Sequence, residues 1–189
     1  MRVILASASQ RRRELLDLIG IEHEIIVSGV DETMPEGLSP AEQSKRLGLL
    51  KAESVFEKTD GDRVVIGSDT IVHMDGRLFG KPAGRDEAFM MIKSLEGRTH
   101  QVFTSVAVLA QTGDKFEKTL ECDVTDVTFA PMSDDEIDEW VSLGECYDKA
   151  GAYAIQSVFA RHIEKINGNY TTVIGLPINI VYEILKKYI

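Results

Sequence analysis

Short apolar runs alternate with amphipathic segments along the first third of the chain. Residues 2–6 are mostly apolar and predict a buried strand. A Ser-rich turn follows, and the next segment predicts a helix that ends near Ile19, just before Gly20. Residues 21–27 are rich in residues that favour β-structure and predict a second strand. The pattern therefore predicts a strand, a helix and a strand at the start of the fold.

Strong capping and turn signals mark the next segment. Residues 39–42 (Ser-Pro-Ala-Glu) form a capping box with proline at the first helical position, which predicts a helix to about Lys58. The apolar run 64–66 ends in Gly-Ser-Asp-Thr at 67–70 and predicts a central strand buried on both faces. Asp75-Gly76 lies between two short β-like segments and predicts a tight hairpin.

The second half of the chain continues this mixture of helical and extended patterns. Its predicted elements are a helix over 86–95, strands over 101–110 and 115–130, a capped helix from Ser133 to Gly144, a hairpin at Asn167-Gly168 joining 158–166 to 169–174, and an amphipathic helix over 178–188. Helices and strands in this order, with several hairpins, predict an α/β fold built on a mixed β-sheet with flanking helices.

Composition places the chain among ordinary globular proteins. Hydrophobic residues make up 43% and charged residues 28% of the 189 residues. Cys122 and Cys146 match neither a disulfide framework nor a zinc-ligand spacing, and they suit a reduced cytosolic protein. We recognise no signal peptide and no run of about 20 apolar residues. These features predict a cytoplasmic protein with no membrane partner.

The net charge of −10 argues against nucleic acid as a partner. An anionic substrate would then need a local cluster of positive charge, and Arg11-Arg12-Arg13 supplies one at the start of the first predicted helix. At about 100° per residue, Arg11 and Arg12 fall on the apolar face of that helix, whereas Arg13 points away. Inward guanidiniums at a helix N-terminus indicate a phosphate site. The alternative is three solvated arginines that oppose the helix dipole.

Asp69 is the first candidate for catalysis. It follows an apolar strand, where α/β enzymes often place a metal ligand or a general base, although an aspartate that only caps a turn is the alternative. Its candidate companions are Glu32, as a second carboxylate for a hard cation, and the lysines Lys51 and Lys81. Each has an ordinary alternative as a loop acid, a surface lysine or a turn residue.

Residues 148–156 form a segment rich in small residues that also carries charges and a tyrosine. Such a loop can close over a ligand, and Gln156 can both donate and accept hydrogen bonds to the edge of a base. The alternative is a tightly packed loop with Tyr153 in the core. The four histidines are scattered without ligand spacing, and no Ser-His-Asp or Cys-His arrangement is indicated.

Several of these segments occur in the order typical of one family. The string Ser-Ala-Ser-Gln-Arg-Arg-Arg-Glu-Leu-Leu at 7–16 resembles the opening signature of the Maf family of nucleotide pyrophosphatases. The further blocks that resemble the family are Glu32, Lys51-Ala52, residues 67–70, Gly80-Lys81-Pro82, residues 148–153, Ile155-Gln156, residues 166–170 and Gly175-Leu176-Pro177. The resemblance covers essentially the whole chain and implies one domain over residues 1–189.

This resemblance implies a twisted mixed sheet with helices around a deep cleft, a fold shared with the inosine triphosphate pyrophosphatases. It also implies hydrolysis of a nucleoside triphosphate between the α- and β-phosphates, a divalent cation (Mg²⁺ or Mn²⁺) and frequently a homodimer. The implied roles are Asp69 as proton acceptor or metal-facing acid, Glu32 as a metal ligand, and Ser7, Arg12, Lys51 and Lys81 as ligands of the triphosphate.

Three positions separate the branches of the family. Arg11, Thr70 and Gln156 match the branch that acts on dTTP and UTP, whereas the 7-methyl-GTP branch typically has tryptophan, glutamine and glutamate there. The alternatives are a purine pyrophosphatase, for 7-methyl-GTP or inosine-type nucleotides, and a non-catalytic nucleotide-binding regulator of septum formation. Gln10 stands where the family usually has proline, which affects the rigidity of the turn rather than the chemistry.

Overall fold

A computed structural model describes residues 1–33 and 37–189. Its elements in chain order are β1 (Arg2–Leu5), α1 (Gln10–Leu18), β2 (Glu24–Ile25), α2 (Pro40–Phe56), β3 (Arg63–Met74), β4 (Arg77–Phe79), α3 (Arg85–Leu95), β5 (Thr99–Thr112), β6 (Lys115–Phe129), α4 (Asp134–Ser142), β7 (Ile163–Asn167), α5 (Tyr170–Ile174) and α6 (Ile178–Leu185). Short 3₁₀ turns occupy Ala150–Ala152 and Val158–His162. Among the described helices, none is long and apolar enough to cross a membrane.

The strands form one seven-stranded mixed sheet in the order β2-β1-β3-β5-β6-β7, with β4 paired to β3 outside this path. β1 runs parallel to β2 and to β3, whereas β3–β4 and β6–β7 are antiparallel. Parallel strands require crossover connections, and α1 and α2 supply them between β1, β2 and β3. The predicted α/β class with a mixed sheet and flanking helices is confirmed.

The chain divides into two compact units, unit 1 (Met1–Thr70, Thr104–Asp123 and Gly175–Ile189) and unit 2 (Ile71–Phe103 and Val124–Ile174). Apolar side chains from β1, α2, β3 and β5 form a core in unit 1, with Ile4, Ala52, Val65 and Ala107 completely buried. Unit 2 has its own core, and its largest members are the aromatic side chains Phe129, Trp140, Tyr153 and Phe159.

One prediction about β3 is wrong. The strand does not end at Ile66 but continues through residues 67–70 to Met74. Polar residues usually end a buried strand because their groups lack partners there. Here the neighbouring backbone and hydroxyl groups satisfy them: Ser68 Oγ donates to the Gly175 carbonyl, and both backbone groups of Asp69 contact serine hydroxyls. Asp69 therefore lies inside a strand rather than at its end.

The predicted hairpin at Asn167-Gly168 is also wrong. β7 ends at Asn167 and pairs with β6, while the segment that follows Gly168 is helix α5. The turn is fixed by Thr125: its hydroxyl donates to the Asn169 carbonyl at 3.1 Å and accepts from the Asn169 N–H at 2.9 Å. A Cβ at position 168 would lie 2.6 Å from Thr125 Oγ1, and φ is +135°, so this glycine serves a close approach. The second predicted strand, over 21–27, shrinks to Glu24–Ile25.

A buried histidine in unit 2 predicts acid sensitivity. His100 Nε2 contacts the Tyr153 hydroxyl at 2.9 Å, and Nδ1 has no hydrogen-bond partner in the described part of the chain. Burial lowers the pKa of His100 to about 4, although Asp126 opposes this. As the pH falls, the His100 imidazole is therefore protonated in the unfolded chain before it is protonated in the folded one. Lowering the pH from about 6.5 to about 4 should cost up to about 3 kcal/mol in the free energy of unfolding.

This effect is measurable by chemical denaturation of the wild-type chain and His100→Phe between pH 7 and pH 4. We expect the stability of the variant to fall less steeply with acid than that of the wild type, because phenylalanine binds no proton. Parallel curves over this pH range would show that His100 does not contribute to the acid sensitivity.

Candidate active site

A buried lysine of unit 1 lies between two carboxylates. Lys51 Nζ donates to Asp69 Oδ1 at 2.7 Å and is 3.0 Å from Glu32 Oε1. Lys51 and Asp69 are 7% and 8% exposed, whereas Glu32 is open to solvent. Burying a charge is expensive unless it is paired, so this pairing explains how Lys51 and Asp69 can lie inside the unit. The structure thus brings together three residues that are 18 or more positions apart.

Helix α2 brings Lys51 to this position. The capping box predicted at its start is present: the Ser39 side chain accepts from the Glu42 N–H, and the Glu42 side chain accepts from the Ser39 N–H. One face of the helix is buried, and its residues are Ser44, Leu47, Gly48, Lys51, Ala52 and Val55. The spacing of three and four residues is that of an inward helical face. Lys51 is therefore part of the buried face and not a surface lysine.

Arg12 is the buried cation of helix α1. Its Nε donates to the Gly175 carbonyl at 2.8 Å, Nη1 to Ser7 Oγ at 3.2 Å and Nη2 to Thr70 Oγ1 at 3.2 Å. Burial lowers the pKa of Arg12, and the negative charges of Asp69 and Glu32 oppose that effect. Arg12 therefore interacts electrostatically with both carboxylates, Asp69 and Glu32.

The helical phase predicted for the arginines is confirmed. Arg12 is buried, Arg11 is half-buried and Arg13 is exposed. Arg13 Nε lies 3.8 Å from Asp17 Oδ2. The turn before α1 is organised by Ser7, whose hydroxyl accepts from the Ser9 N–H at 3.1 Å as well as from Arg12. Ser7, Arg12, Glu32, Lys51, Asp69 and Thr70 are all residues of unit 1.

Four residues around this group were not predicted from the sequence. Thr104 contacts Thr70 Oγ1 at 3.1 Å, and Ser44 and Ser105 contact the backbone of Asp69.

Gly175, known from the sequence only as part of a family block, accepts hydrogen bonds from Arg12 and Ser68 and has a φ of +126°. Ser44 lies on the apolar face of α2, so the helical periodicity of the sequence could have predicted that it is buried.

Lys81 and Gln156 belong to unit 2, and both are exposed there. The Gly151 N–H donates to the Gly80 carbonyl at 3.0 Å, so residues 80–82 and residues 148–156 are joined within this unit. Trp140 Nε1 donates to the Ala152 carbonyl at 2.8 Å, a second hydrogen bond that holds the same segment. Tyr153 is buried in the core of unit 2, as the packing alternative predicted. The roles of Lys81 and Gln156 stay predictions.

Lys51 should stabilise the fold only while Asp69 carries a charge. Replacing Lys51 with methionine leaves a buried carboxylate without its cation, and we expect a loss of about 3 kcal/mol in the free energy of unfolding. In an Asp69→Asn background the same change should cost much less, since the neutral amide needs no counter-charge. Urea denaturation of the two single variants and the double variant measures this coupling. Additive losses would show that the two side chains do not interact.

The carboxylates of this site suit a hard divalent cation. Asp69 and Glu32 both lie within 3.0 Å of Lys51 Nζ, so the lysine brings the two carboxylates close to each other. Across residues 1–33 and 37–189, no group of three or more His, Cys, Asp or Glu side chains forms a complete metal site. Mg²⁺ commonly binds one or two carboxylates together with substrate phosphates, and these two residues fit that arrangement.

Comparisons with known proteins identify the family. The model of the family described as Maf-like protein matches residues 2–188. The dTTP/UTP pyrophosphatase of Thermoanaerobacter sp. (strain X514) is 44% identical over 187 residues, which are 99% of this chain and 96% of that protein. The dTTP/UTP pyrophosphatase of Bacillus velezensis is also 44% identical, with the same coverage. The solved structure of the Staphylococcus aureus Ham1 protein aligns over 99% of both chains, with 15% identity and a TM-score of 0.48.

These matches extend over almost the entire sequence, and the string at 7–16 and the blocks around Glu32, Lys51 and Asp69 lie within them. The resemblance inferred from those residues is therefore confirmed. The chain belongs to the family of Maf-like proteins.

Proposed function

We propose that this chain is a nucleoside triphosphate pyrophosphatase that hydrolyses dTTP and UTP to the monophosphate and pyrophosphate. The observation that carries the proposal is the cluster of Asp69, Lys51, Glu32 and Arg12 in unit 1, where buried cations lie beside acids. Both relatives are dTTP/UTP pyrophosphatases, which supports this activity, and Arg11, Thr70 and Gln156 match the dTTP/UTP branch.

In this proposal the oxygen of a water molecule forms a bond to the α-phosphorus, and the α–β phosphoanhydride bond breaks. Pyrophosphate leaves, and the proton of the water passes to the Asp69 carboxylate. Lys51 donates to Asp69 Oδ1, which fixes the orientation of the carboxylate. An Asp69 anion held in this way can accept the proton.

Arg12 has the properties of a phosphate ligand. A guanidinium has about five N–H donors, and the contacts to Gly175, Ser7 and Thr70 use three of them. We assign the remaining donors to phosphate oxygens, which Arg binds well because its planar fork can donate two bonds at once. The contacts with the protein hold the fork in place before the substrate arrives, so little side-chain entropy is lost on binding.

Asp69 and Glu32 are the residues that would hold Mg²⁺ or Mn²⁺. A bound divalent cation would supply neutralisation of phosphate charge and would lower the pKa of a bound water. Cytoplasmic localisation and a homodimer remain part of the proposal, as the sequence and the family resemblance suggest.

A panel of triphosphates tests the proposal. The purified chain is incubated with dTTP, UTP, CTP, ITP or 7-methyl-GTP, with Mg²⁺, with Mn²⁺ or with a chelator, and released pyrophosphate is measured. We expect dTTP and UTP to be the best substrates, and chelation to lower their turnover at least about 100-fold. A preference for a purine would assign the chain to the alternative branch. Nucleotide binding without pyrophosphate release would instead favour a non-catalytic regulator.

A further inference from the structure

Two buried serines hold both backbone groups of Asp69. Ser105 Oγ accepts from the Asp69 N–H at 3.2 Å, and Ser44 Oγ donates to the Asp69 carbonyl at 2.9 Å. The serines also bond to each other: Ser105 N–H donates to Ser44 Oγ at 3.0 Å, and Ser105 Oγ donates to the Ser44 carbonyl at 2.6 Å. The contacts close a ring that joins α2, β3 and β5, all within unit 1.

We propose that Ser44 and Ser105 are positioning residues for Asp69, acting through its backbone to aim the carboxylate. The proposal rests on the proposed function, in which that carboxylate accepts the proton of the attacking water. Both serines bond to the backbone of Asp69 rather than to its carboxylate, so they act as positioning residues and not as catalytic ones.

The geometry of the ring explains how it would work. The Asp69 N–H belongs to the peptide plane before its Cα, and the Asp69 carbonyl belongs to the plane after it. Holding both groups fixes φ and ψ of Asp69, and with them the direction of the Cα–Cβ bond. The carboxylate then meets Lys51 Nζ at 2.7 Å. Lys51 lies seven residues after Ser44, about two turns along the same buried face of α2. The ring therefore also fixes the position of Lys51 along the helix axis relative to Asp69.

The surroundings of the ring leave it little freedom to shift. Both serines are completely buried, with 0% exposure. Each hydroxyl uses its single donor and one acceptor position inside the ring, which is most of its hydrogen-bonding capacity. A Cβ on Gly48 would lie 2.5 Å from Ser105 Oγ and 3.5 Å from the Asp69 nitrogen, so the backbone of α2 passes directly against the ring. A one-ångström displacement of a reacting group can cost about 100-fold in rate.

Ser105→Ala and Ser44→Ala test the proposal, and Ser54→Ala is the matched control. Ser54 lies on the same helix, and its hydroxyl also donates to a carbonyl, that of Ser28 at 2.9 Å, but it has no contact with Asp69. For each chain we would measure kcat and KM with dTTP and the thermal midpoint. We expect both ring variants to lose on the order of 10–100-fold in kcat with KM unchanged. Ser54→Ala should keep the wild-type kcat even where its thermal midpoint falls.

A second measurement separates positioning from general weakening of the fold. Adding Ser105→Ala to Asp69→Asn should leave the residual turnover unchanged, because the group that the ring positions is already gone. If Ser105→Ala does not fold, Ser44→Ala decides the question, since it removes a different pair of hydrogen bonds.

The outcomes distinguish the two proposals. Wild-type kcat in either folded ring variant, or an equal loss in Ser54→Ala, overturns the positioning role while the proposed function stands. A further loss in the Asp69→Asn background also overturns it. A wild-type chain that releases no pyrophosphate overturns the proposed function, and the positioning role with it.

Discussion

Asp69→Asn is expected to lower the kcat for dTTP hydrolysis by about 10²–10⁴-fold, the range typical for loss of a general base. Asparagine has nearly the same shape as aspartate and keeps an oxygen that can accept from Lys51, whose Nζ also lies 3.0 Å from Glu32 Oε1. The fold and the phosphate ligands should therefore survive. We expect dTTP binding, measured by calorimetry under conditions without turnover, to change much less than kcat.

Asp62→Asn is the control for this prediction. Asp62 is an exposed aspartate of unit 1 whose carboxylate accepts from the Gly113 N–H at 2.8 Å. The same loss of charge at this position should leave kcat unchanged. Wild-type turnover in Asp69→Asn would remove Asp69 from its proposed role. Weaker dTTP binding with an unchanged kcat would identify it as a residue that only binds substrate.

Gly67→Ala is expected to lower the free energy of unfolding by at least about 4 kcal/mol or to prevent folding. A Cβ at this position would lie 2.1 Å from the Gly48 carbonyl oxygen and 2.7 Å from the Ala52 nitrogen. Both atoms belong to the backbone of α2, so they cannot move away as a flexible side chain could. Glycine at position 67 lets β3 and α2 approach closely, and this approach brings Lys51 to Asp69.

Gly84→Ala is the matched glycine control, because its backbone is extended and a Cβ there would meet nothing within 4 Å. We expect this variant to lose little stability. Urea denaturation followed by circular dichroism compares the two alanine variants with the wild type. Equal stability of Gly67→Ala and the wild type would mean that β3 and α2 lie farther apart than described.

Local patterns in the sequence were sufficient to predict most of the elements. Hydrophobic periodicity, capping boxes and glycines after helix ends predicted α1 to α4 and α6, because these signals act over three to seven neighbouring residues. The same periodicity correctly predicted that Arg12 faces inward. Its partners, Ser7, Thr70 and Gly175, could not be predicted from helical phase alone.

Tertiary contacts account for the predictions that failed. The polar residues 67–70 did not end β3, because Ser44 and Ser105, which are 61 positions apart, satisfy the backbone of Asp69. Asn167-Gly168 did not form a hairpin, because Thr125 lies directly against the turn. A serine or threonine that is completely buried looks in the sequence like any exposed one, so its partners become visible only in the folded chain.

In the candidate site too, the sequence identified individual residues, whereas their contacts became visible only in the folded chain. Family blocks selected Glu32, Lys51 and Asp69, but the contact of one lysine with both acids is a property of the fold. The metal and the roles of Lys81 and Gln156 remain predictions from the sequence. The positions of Ser44 and Ser105 around Asp69 extend the site to residues that no block contains.

The most direct test of the proposed chemistry is hydrolysis of dTTP in ¹⁸O-labelled water, with both products analysed by mass spectrometry. Attack on the α-phosphorus predicts one label in dTMP and unlabelled pyrophosphate, released in equal amounts. Label in the pyrophosphate, release of orthophosphate as the first product, or no hydrolysis of dTTP or UTP would contradict the account.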